Sequence, residues 1–162
     1  MSEVLPDTTE AWRLVKAIHA AAAFEGEGAF RFGGRWNSPG TRVVYASSSL
    51  ALAALEFLVH IDPAAPVPEL TAFRISIPAD DIETATLRPS AEGTDFPPLP
   101  VTRAAGDSWA AEKRSAVLRV ASAVVPTESN VLIDPAHPRF GALKIRAAQP
   151  FRFDPRLVRA RR

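Results

Sequence analysis

The chain has 162 residues, 47% of them hydrophobic, which is enough for a single compact domain with a substantial core. Its 19 basic and 18 acidic residues leave a net charge of +1, which excludes recognition of nucleic acid or an anionic membrane by overall charge. The absence of cysteine excludes disulfides, thiolate metal sites and a cysteine nucleophile, and it favours a soluble, cytoplasmic protein. We expect one domain spanning residues 1–162.

The sequence predicts neither a secretory signal nor a membrane-spanning helix. The first seven residues lack the basic region and the apolar core of a signal. The longest apolar run, residues 50–61, is interrupted by Glu56 and is shorter than the roughly 20 residues that cross a bilayer. We therefore expect no association with a membrane.

The predicted elements of the first part of the chain surround a glycine-rich segment. Residues 11–18 match neither the helical nor the strand period cleanly, and we interpret them as a strand. Residues 24–40 contain five glycines and an Asn-Ser-Pro sequence, which predicts a long shaped loop of the kind that often binds ligands. Residues 42–46 are rich in β-branched and aromatic side chains, which predicts a short buried strand.

A helix is predicted directly after this strand. Ser48 or Ser49 can cap its first amides, and apolar residues recur with helical spacing up to Ile61, before an Asp-Pro pair. Because its other faces are apolar too, we expect the helix to be packed nearly all round and Glu56 to be buried within it. Burying an ionised carboxylate costs several kcal/mol unless it is paired or hydrogen-bonded, so this position indicates a functional residue.

The second part of the chain predicts further strands and one short helix. We expect a surface loop over residues 88–100, followed by a helix over residues 108–114 that Asp107 caps. The predicted strands lie at residues 69–77, 81–87, 116–125 and 143–153. Strands and helices do not alternate regularly, which favours a mixed α+β domain, with short twisted sheets and one buried helix, over a doubly wound sheet.

The glycine-rich segment does not have the sequence of a phosphate-binding loop. It matches neither GxGxxG nor GxxxxGK[ST], and a strand follows it where those motifs open a helix. Gly33 and Gly34 nevertheless allow a ligand to approach the backbone, and Arg35 follows them directly. Two interpretations are open: Arg35 binds an anionic ligand, or it pairs with a core acid in a structural turn.

Glu56 is open to the same two interpretations. A buried acid near an arginine is typical of an active site, but a structural ion pair with Arg35 or Arg13 gives the same pattern. Tyr45, the only tyrosine, and Ser122, in an apolar strand, are by residue type alone more typical of the core. The histidines have no HxxxH or HExxH spacing, so we expect no metal site.

Four segments resemble the RES-domain toxins of bacterial toxin–antitoxin pairs. They are residues 33–40, 43–47, 52–60 and 121–126, and their order and spacing match over most of the chain. The family takes its name from an arginine, a glutamate and a serine, which match Arg35, Glu56 and Ser122. Asn130, Asp134-Pro135 and His137-Pro138 resemble a later Asn…Asn-Pro…His-Pro stretch of the family, with aspartate at position 134 where the family often has asparagine.

The resemblance implies an ADP-ribosyltransferase-like fold, NAD as the substrate, and depletion of cellular NAD as the toxic effect. Cleavage by hydrolysis, cleavage by phosphorolysis and transfer of ADP-ribose to a protein all remain open. The resemblance also implies a small helix-turn-helix antitoxin that covers the site and binds DNA as a complex. Outside this activity, a non-catalytic interaction module of the same fold and an RNA-cleaving toxin are the alternatives.

NAD cleavage assigns a role to each of the matching residues. Glu56 would stabilise the oxocarbenium-like ribose that forms when nicotinamide leaves. Arg35 would bind the pyrophosphate, and Ser122 would orient Glu56 or a ribose hydroxyl. The candidate catalytic residues are therefore Glu56, Arg35 and Ser122, and the candidate NAD-binding residues are Arg35, Tyr45, Arg13, Gly34 and Ser122.

Overall fold

The computed structural model describes residues 7–89 and 95–159. Within these residues the chain forms eight strands and three α-helices: β1 (Thr8–Lys16), α1 (Glu27–Phe32), β2 (Val44–Ser47), α2 (Leu50–Leu58), β3 (Leu70–Pro78), β4 (Ile82–Thr84), α3 (Leu99–Glu112), β5 (Val117–Ala121), β6 (Ser129–Ile133), β7 (Lys144–Ile145) and β8 (Gln149–Phe151). Short 3₁₀ helices lie at Ala17–Ala22, Ala79–Asp81, Phe140–Ala142 and Pro155–Leu157. The mixed α+β class predicted from the sequence is confirmed.

The strands form one sheet in the order β4-β5-β6-β2-β1-β3-β7, with β8 also paired to β3. All pairs are antiparallel except β4 with β5. β1 and β3 are paired over nine positions, whereas β1 and β2 are in register at one pair, Trp12 and Ser47. The sheet therefore opens between β1 and β2, and this opening positions the candidate site.

Both faces of β5 and β6 are buried, because alternate residues of each strand enter two different apolar clusters. Val117 and Ile133 pack with Ile75 on one face, and Leu118 and Leu132 pack on the other. The second cluster also contains Trp109 of α3 and Trp36 of the glycine-rich segment. This packing ties α3 and the glycine-rich segment to the same face of the sheet.

The α2 helix begins where the sequence predicts, but it is less enclosed than expected. The Ser49 hydroxyl accepts a hydrogen bond from the Leu52 amide at 3.0 Å, which confirms the predicted cap. Of its residues only Leu52 and Ala53 are buried, while 42% of Leu55 is exposed and Glu56 is half-buried. The prediction that the helix is packed all round with a buried acid is wrong, because α2 rests on the sheet with one face only.

The α3 helix differs most from the prediction. It extends over Leu99–Glu112, so it begins inside the predicted surface loop and passes through Asp107, the predicted cap. The Asp107 carboxylate instead accepts a hydrogen bond from the Ser38 amide at 2.9 Å. Proline is well tolerated in the first turn of a helix, where its missing N–H has no intrahelical partner, so the Pro-rich sequence starts the helix. Part of the predicted loop, residues 90–94, lies outside the described residues.

Several smaller differences separate the predicted elements from the observed ones. The expected loop at residues 24–40 contains the short helix α1, and β6 was not predicted at all. The strand predicted at residues 116–125 ends at Ala121 as β5, and the one at residues 81–87 shortens to β4. The strand predicted at residues 143–153 is divided into β7 and β8, which pair with different halves of β3.

Two further features concern membranes and metals. Over residues 7–89 and 95–159, no helix is both long enough and apolar enough to cross a bilayer. Within the same ranges, no three His, Asp or Glu side chains are grouped closely enough to hold a metal ion.

Candidate active site

A cavity of about 910 Å³ lies at the opening between β1 and β2. This volume falls in the range of roughly 300–1,000 Å³ that is typical of small-molecule sites. α2 forms one wall of the cavity and the glycine-rich segment forms another. The polar and aromatic lining residues used in the following argument are Trp12, Arg13, Arg35, Tyr45, Glu56 and Asn130.

The Glu56 carboxylate lies on the cavity wall, and within the described part of the chain only one of its oxygens is hydrogen-bonded. Oε1 accepts a hydrogen bond from the Ser122 hydroxyl at 2.6 Å and another from the Asn130 side-chain amide at 2.6 Å. Oε2 has no hydrogen-bond partner among the described residues, where every buried side-chain nitrogen and oxygen is bonded. Oε2 is therefore accessible, so one oxygen of the carboxylate is held in place and the other can contact a ligand.

Ser122 reaches the site only through Glu56. The residue is fully buried, immediately after β5, and it is not part of the cavity wall. Its hydroxyl oxygen accepts hydrogen bonds from the amides of Val124 and Val125, at 3.1 and 3.0 Å. The hydroxyl proton is therefore directed to Glu56. Of the two roles considered for Ser122, this geometry favours orientation of Glu56 over contact with a ribose.

Asn130 is a site residue that sequence reasoning did not assign. It lies on β6 and donates from Nδ2 to Glu56, while its Oδ1 accepts a hydrogen bond from the Ser47 hydroxyl at 2.8 Å. The rest of the matched stretch lies elsewhere, since Asp134 forms an ion pair with Lys113 at 2.7 Å beyond the other end of β6. The resemblance of the stretch that begins at Asn130 to a later part of the family sequence was the available signal, but no role was assigned to Asn130 because β6 itself was not predicted.

Tyr45 uses its hydroxyl to hold the turn that follows the glycines. The hydroxyl donates to Oδ1 of Asn37 at 2.8 Å and accepts from the Trp36 amide at 3.0 Å. A Cβ atom added at Gly34 would lie 2.6 Å from the Tyr45 hydroxyl oxygen, so only glycine fits there. Burial raises the pKa of Tyr45 to about 12, although the hydrogen bond from Trp36 opposes this shift.

Arg35 has a backbone that is held by a hydrogen bond and a side chain that stacks on an aromatic ring. Its carbonyl oxygen accepts a hydrogen bond from the buried Thr102 hydroxyl at 2.5 Å. Its guanidinium stacks on Phe96, with Cζ 5.0 Å from the ring centroid, and it has no hydrogen-bond or ion-pair partner within the described ranges. The structural ion pair considered between Glu56 and Arg35 is therefore not formed. The two charges instead lie on the wall of the same cavity.

Arg13 bridges the opening between β1 and β2. Its Nε donates to the Ala23 carbonyl at 2.5 Å and its Nη1 to the Tyr45 carbonyl at 2.6 Å, so it does not pair with Glu56 either. Burial lowers the pKa of the Arg13 guanidinium to about 10, which still leaves it charged at neutral pH. Arg13 therefore places a positive charge on the cavity wall while it also holds two backbone segments.

Comparisons with known proteins identify the family of the chain. The family model of the RES domain matches residues 10–154. Prs ADP-ribosylating toxin of Sphingobium sp. (strain YBL2) is 37% identical over 158 residues, which cover 94% of this chain and 98% of that protein. Toxin Res of Yersinia enterocolitica is 38% identical over 151 residues, which cover 90% and 97%.

Among solved structures, a chain of the M. tuberculosis MbcT–MbcA toxin–antitoxin complex has the same fold. It aligns with a TM-score of 0.67 and covers 95% of this chain and 88% of its own length, at 19% sequence identity. At that identity the likeness concerns the fold alone, and it agrees with the mixed α+β architecture. Together with the family match and the close relatives, it shows that this chain belongs to the RES-domain family.

Proposed function

We propose that this chain is the toxin of a toxin–antitoxin pair and that it cleaves the nicotinamide–ribose bond of NAD, by hydrolysis or phosphorolysis. The observation that carries the proposal is the Glu56 carboxylate on the wall of a cavity that Arg35 also lines: among residues 7–89 and 95–159, Oε2 of Glu56 has no hydrogen-bond partner and Arg35 forms no ion pair. The relatives named as toxins, one of them as an ADP-ribosylating toxin, support NAD as the substrate.

One fixed carboxylate is sufficient for this reaction. When the bond between C1′ of the ribose and N1 of nicotinamide breaks, its electron pair moves to the nitrogen and neutralises the pyridinium charge, so the leaving group needs no proton. The positive charge then lies on the ribose as an oxocarbenium ion, which the free Oε2 of Glu56 stabilises electrostatically.

The acceptor completes the reaction at the same carbon. A water oxygen that bonds to C1′ loses one proton, which Oε2 of Glu56 can take, and the product is ADP-ribose. An inorganic phosphate oxygen that bonds there gives ADP-ribose phosphorylated at C1′. Both reactions release neutral nicotinamide, so they differ only in the acceptor that bonds to C1′.

The charges on the cavity wall suit a dinucleotide. Arg35 would bind the pyrophosphate by charge-assisted hydrogen bonds, because its guanidinium donors are unpaired within the described residues. Arg13 and Lys16 also line the cavity and add positive charge. Gly34 and the ring of Tyr45 would lie beside the nicotinamide, since both line the cavity. The missing side chain of Gly34 allows its backbone to pack against the Tyr45 hydroxyl.

The test is NAD turnover by the purified chain with and without inorganic phosphate, with the products resolved by chromatography. Glu56→Gln removes the charge but keeps the shape, and we expect turnover to fall by about 10²–10³-fold. Glu25→Gln is the matched control, because Glu25 is exposed and its side chain forms no ion pair within the described residues. A folded Glu56→Gln protein that consumes NAD at the wild-type rate would overturn the proposal.

Transfer of ADP-ribose to a protein is the second candidate, and the name of the Sphingobium relative favours it. The same residues would break the same bond, and a protein side chain would replace water or phosphate. Incubation of the chain with labelled NAD and a cell extract distinguishes the two, since transfer labels a protein in a Glu56-dependent manner. A non-catalytic interaction module would give neither labelled protein nor loss of NAD.

We further propose a helix-turn-helix antitoxin that covers the cavity and contacts DNA on behalf of the complex. Exposed apolar side chains at the C-terminal end of α2 support such a partner, because 42% of Leu55 and 57% of Val59, the residue that follows the helix, are exposed. Co-expression with the product of the neighbouring gene tests this proposal. A stable complex that no longer consumes NAD is expected, and a partner that leaves turnover unchanged would contradict it.

A further inference from the structure

We propose that Ser47 is a positioning residue for Glu56 and that it acts through the side-chain amide of Asn130. Its effect on the reaction rate rests on the proposed function, whereas its effect on the Asn130 side chain does not. Ser47 does not touch the carboxylate. Its hydroxyl donates to Oδ1 of Asn130 at 2.8 Å, and Nδ2 of the same amide donates to Glu56 at 2.6 Å.

The backbone fixes the first part of this arrangement. Ser47 ends β2 and is directly opposite Asn130 of β6 in the antiparallel register, so the two side chains lie on the same face of the sheet. On its other side Ser47 is opposite Trp12 of β1. Ser47 is therefore held between two strands, and only 4% of it is exposed.

The carboxylate determines which way the amide faces. In the reverse orientation, Oδ1 of Asn130 would face Oε1 of Glu56 at hydrogen-bond distance, and two acceptors would repel each other. In the observed orientation Oδ1 faces Ser47, whose hydroxyl has this one partner within the described residues. Ser47 thus anchors the oxygen end of the amide while the nitrogen end holds Glu56.

Both donors to Glu56 converge on the same oxygen. Ser122 and Asn130 each donate a hydrogen bond to Oε1. A rotation of the carboxylate that keeps one of these hydrogen bonds would break the other, so the two together fix its orientation. Without the Ser47 hydroxyl, Oδ1 of Asn130 loses its partner and the amide is free to rotate away from Glu56. Oε2 would then no longer be held toward the cavity.

The experiment compares Ser47→Ala and Ser47→Thr with Ser76→Ala. Ser76 is a half-buried strand serine of β3 whose side chain forms no hydrogen bond within the described ranges, so it controls for loss of a hydroxyl from the sheet. The first measurement is the NMR signal of the Asn130 side-chain amide, assigned by its disappearance in Asn130→Asp. The second is kcat and KM for NAD.

We expect Ser47→Ala to shift the Asn130 amide signals and to increase the exchange rate of their protons with water. We also expect kcat to fall by about three- to tenfold with KM unchanged, because the Asn130 amide that orients the carboxylate loses the hydrogen bond that anchors it. Ser47→Thr should restore both quantities, and Ser76→Ala should leave both as in the wild type.

The proposal is overturned if the Asn130 signals and kcat of Ser47→Ala equal those of the wild type, even if the variant unfolds at a lower temperature. In that case Ser47 contributes to stability alone. If the wild-type chain does not consume NAD, the proposed function fails, and the NMR comparison still decides whether Ser47 holds Asn130.

Discussion

The buried hydroxyl of Thr102 donates a hydrogen bond to the carbonyl oxygen of Arg35 and so joins the first turn of α3 to the cavity wall. The next residue, Arg103, donates from Nε to the Gly34 carbonyl at 2.9 Å. One turn further along the helix, Asp107 accepts from the Ser38 amide. α3 therefore holds the glycine-rich segment at several points along one face, and it positions the Arg35 backbone.

Replacement of Thr102 by valine tests this support. Thr102→Val keeps the shape of the side chain but removes its donor, so the Arg35 carbonyl loses its partner and the chain should be destabilised by about 1–3 kcal/mol. If Arg35 binds the pyrophosphate, KM for NAD should rise more than kcat falls. Urea unfolding and steady-state kinetics measure the two effects. Thr84→Val, at an exposed position of β4, is the control, and equal behaviour of the two variants would contradict the prediction.

Two helical glycines should respond in opposite directions to the same substitution. A Cβ at Gly106 in α3 would overlap the carbonyl oxygen of Trp36, so Gly106→Ala should destabilise the chain by about 1–3 kcal/mol or more. A Cβ at Gly28 in α1 would meet no atom within 4 Å, so Gly28→Ala should stabilise the chain by about 0.5–1 kcal/mol. Urea unfolding of both variants provides the measurement, and stabilisation by Gly106→Ala would show that α3 does not pack directly on the Trp36 backbone.

Local sequence signals predicted the elements that local interactions stabilise. The start of α2 was predictable because the Ser49 cap and the helical spacing of the apolar residues act within a few residues of each other. β2 and β3 were predictable from their β-branched and aromatic residues. The resemblance to a family also placed Arg35 and Glu56 in one site, and the structure brings both to the wall of one cavity.

The remaining features depend on partners far away in the chain. Asn130 and Glu56 are hydrogen-bonded although they are 74 residues apart in the sequence. The hydrophobic pattern of either segment does not predict a contact with the other. Gly106 has a low helical propensity, which argues against a helix at this position. Glycine is nevertheless required there, because α3 packs directly on the Trp36 backbone. The apolar faces of α2 suggested burial, because a sequence does not distinguish a core helix from one whose outer face is left open at a binding surface.

We expect substitution of the two arginines on the cavity wall to affect different quantities: Arg13 the free energy of unfolding, and Arg35 the binding of NAD. Arg13→Met keeps the aliphatic stem but removes the hydrogen bonds to the Ala23 and Tyr45 carbonyls, so it should lower the free energy of unfolding by about 3 kcal/mol. Arg35→Met removes a guanidinium that is unpaired within the described residues and stacks on Phe96, so the loss should be below about 1 kcal/mol. Arg35→Met should instead raise KM for NAD by about tenfold or more.

Urea unfolding and NAD kinetics of both variants make this comparison. Met is the matched replacement at both positions, so the two variants differ only in what each guanidinium contacts. Equal losses of stability would show that Arg35 is as structural as Arg13. An unchanged KM in a folded Arg35→Met protein would remove Arg35 from the binding site.

The single tyrosine allows burial at the edge of the site to be measured directly. Burial raises the pKa of Tyr45 to about 12, against about 10 for a solvated phenol, and Tyr45 is the only residue that can give a phenolate signal in an absorbance titration. The folded chain should therefore titrate with a midpoint near pH 12. In urea the midpoint should return to about 10.

The same shift fixes the sign of a change in stability with pH. Between pH 10 and 12 the unfolded chain loses the Tyr45 proton while the folded chain keeps it, so this residue's contribution to stability is complete below pH 10 and is lost as pH rises toward 12. The loss amounts to about 3 kcal/mol over the two pH units.

The Tyr45→Phe variant tests this assignment. It has no phenolic proton to lose, so its stability should fall less between pH 10 and 12. At neutral pH it should be less stable than the wild type, because it lacks the hydrogen bonds to Asn37 and Trp36. Titration of Arg13 affects both proteins and cancels in the comparison. A folded-state midpoint near 10 would mean that the Tyr45 hydroxyl is open to solvent, and that the turn carrying Arg35 is not held by it.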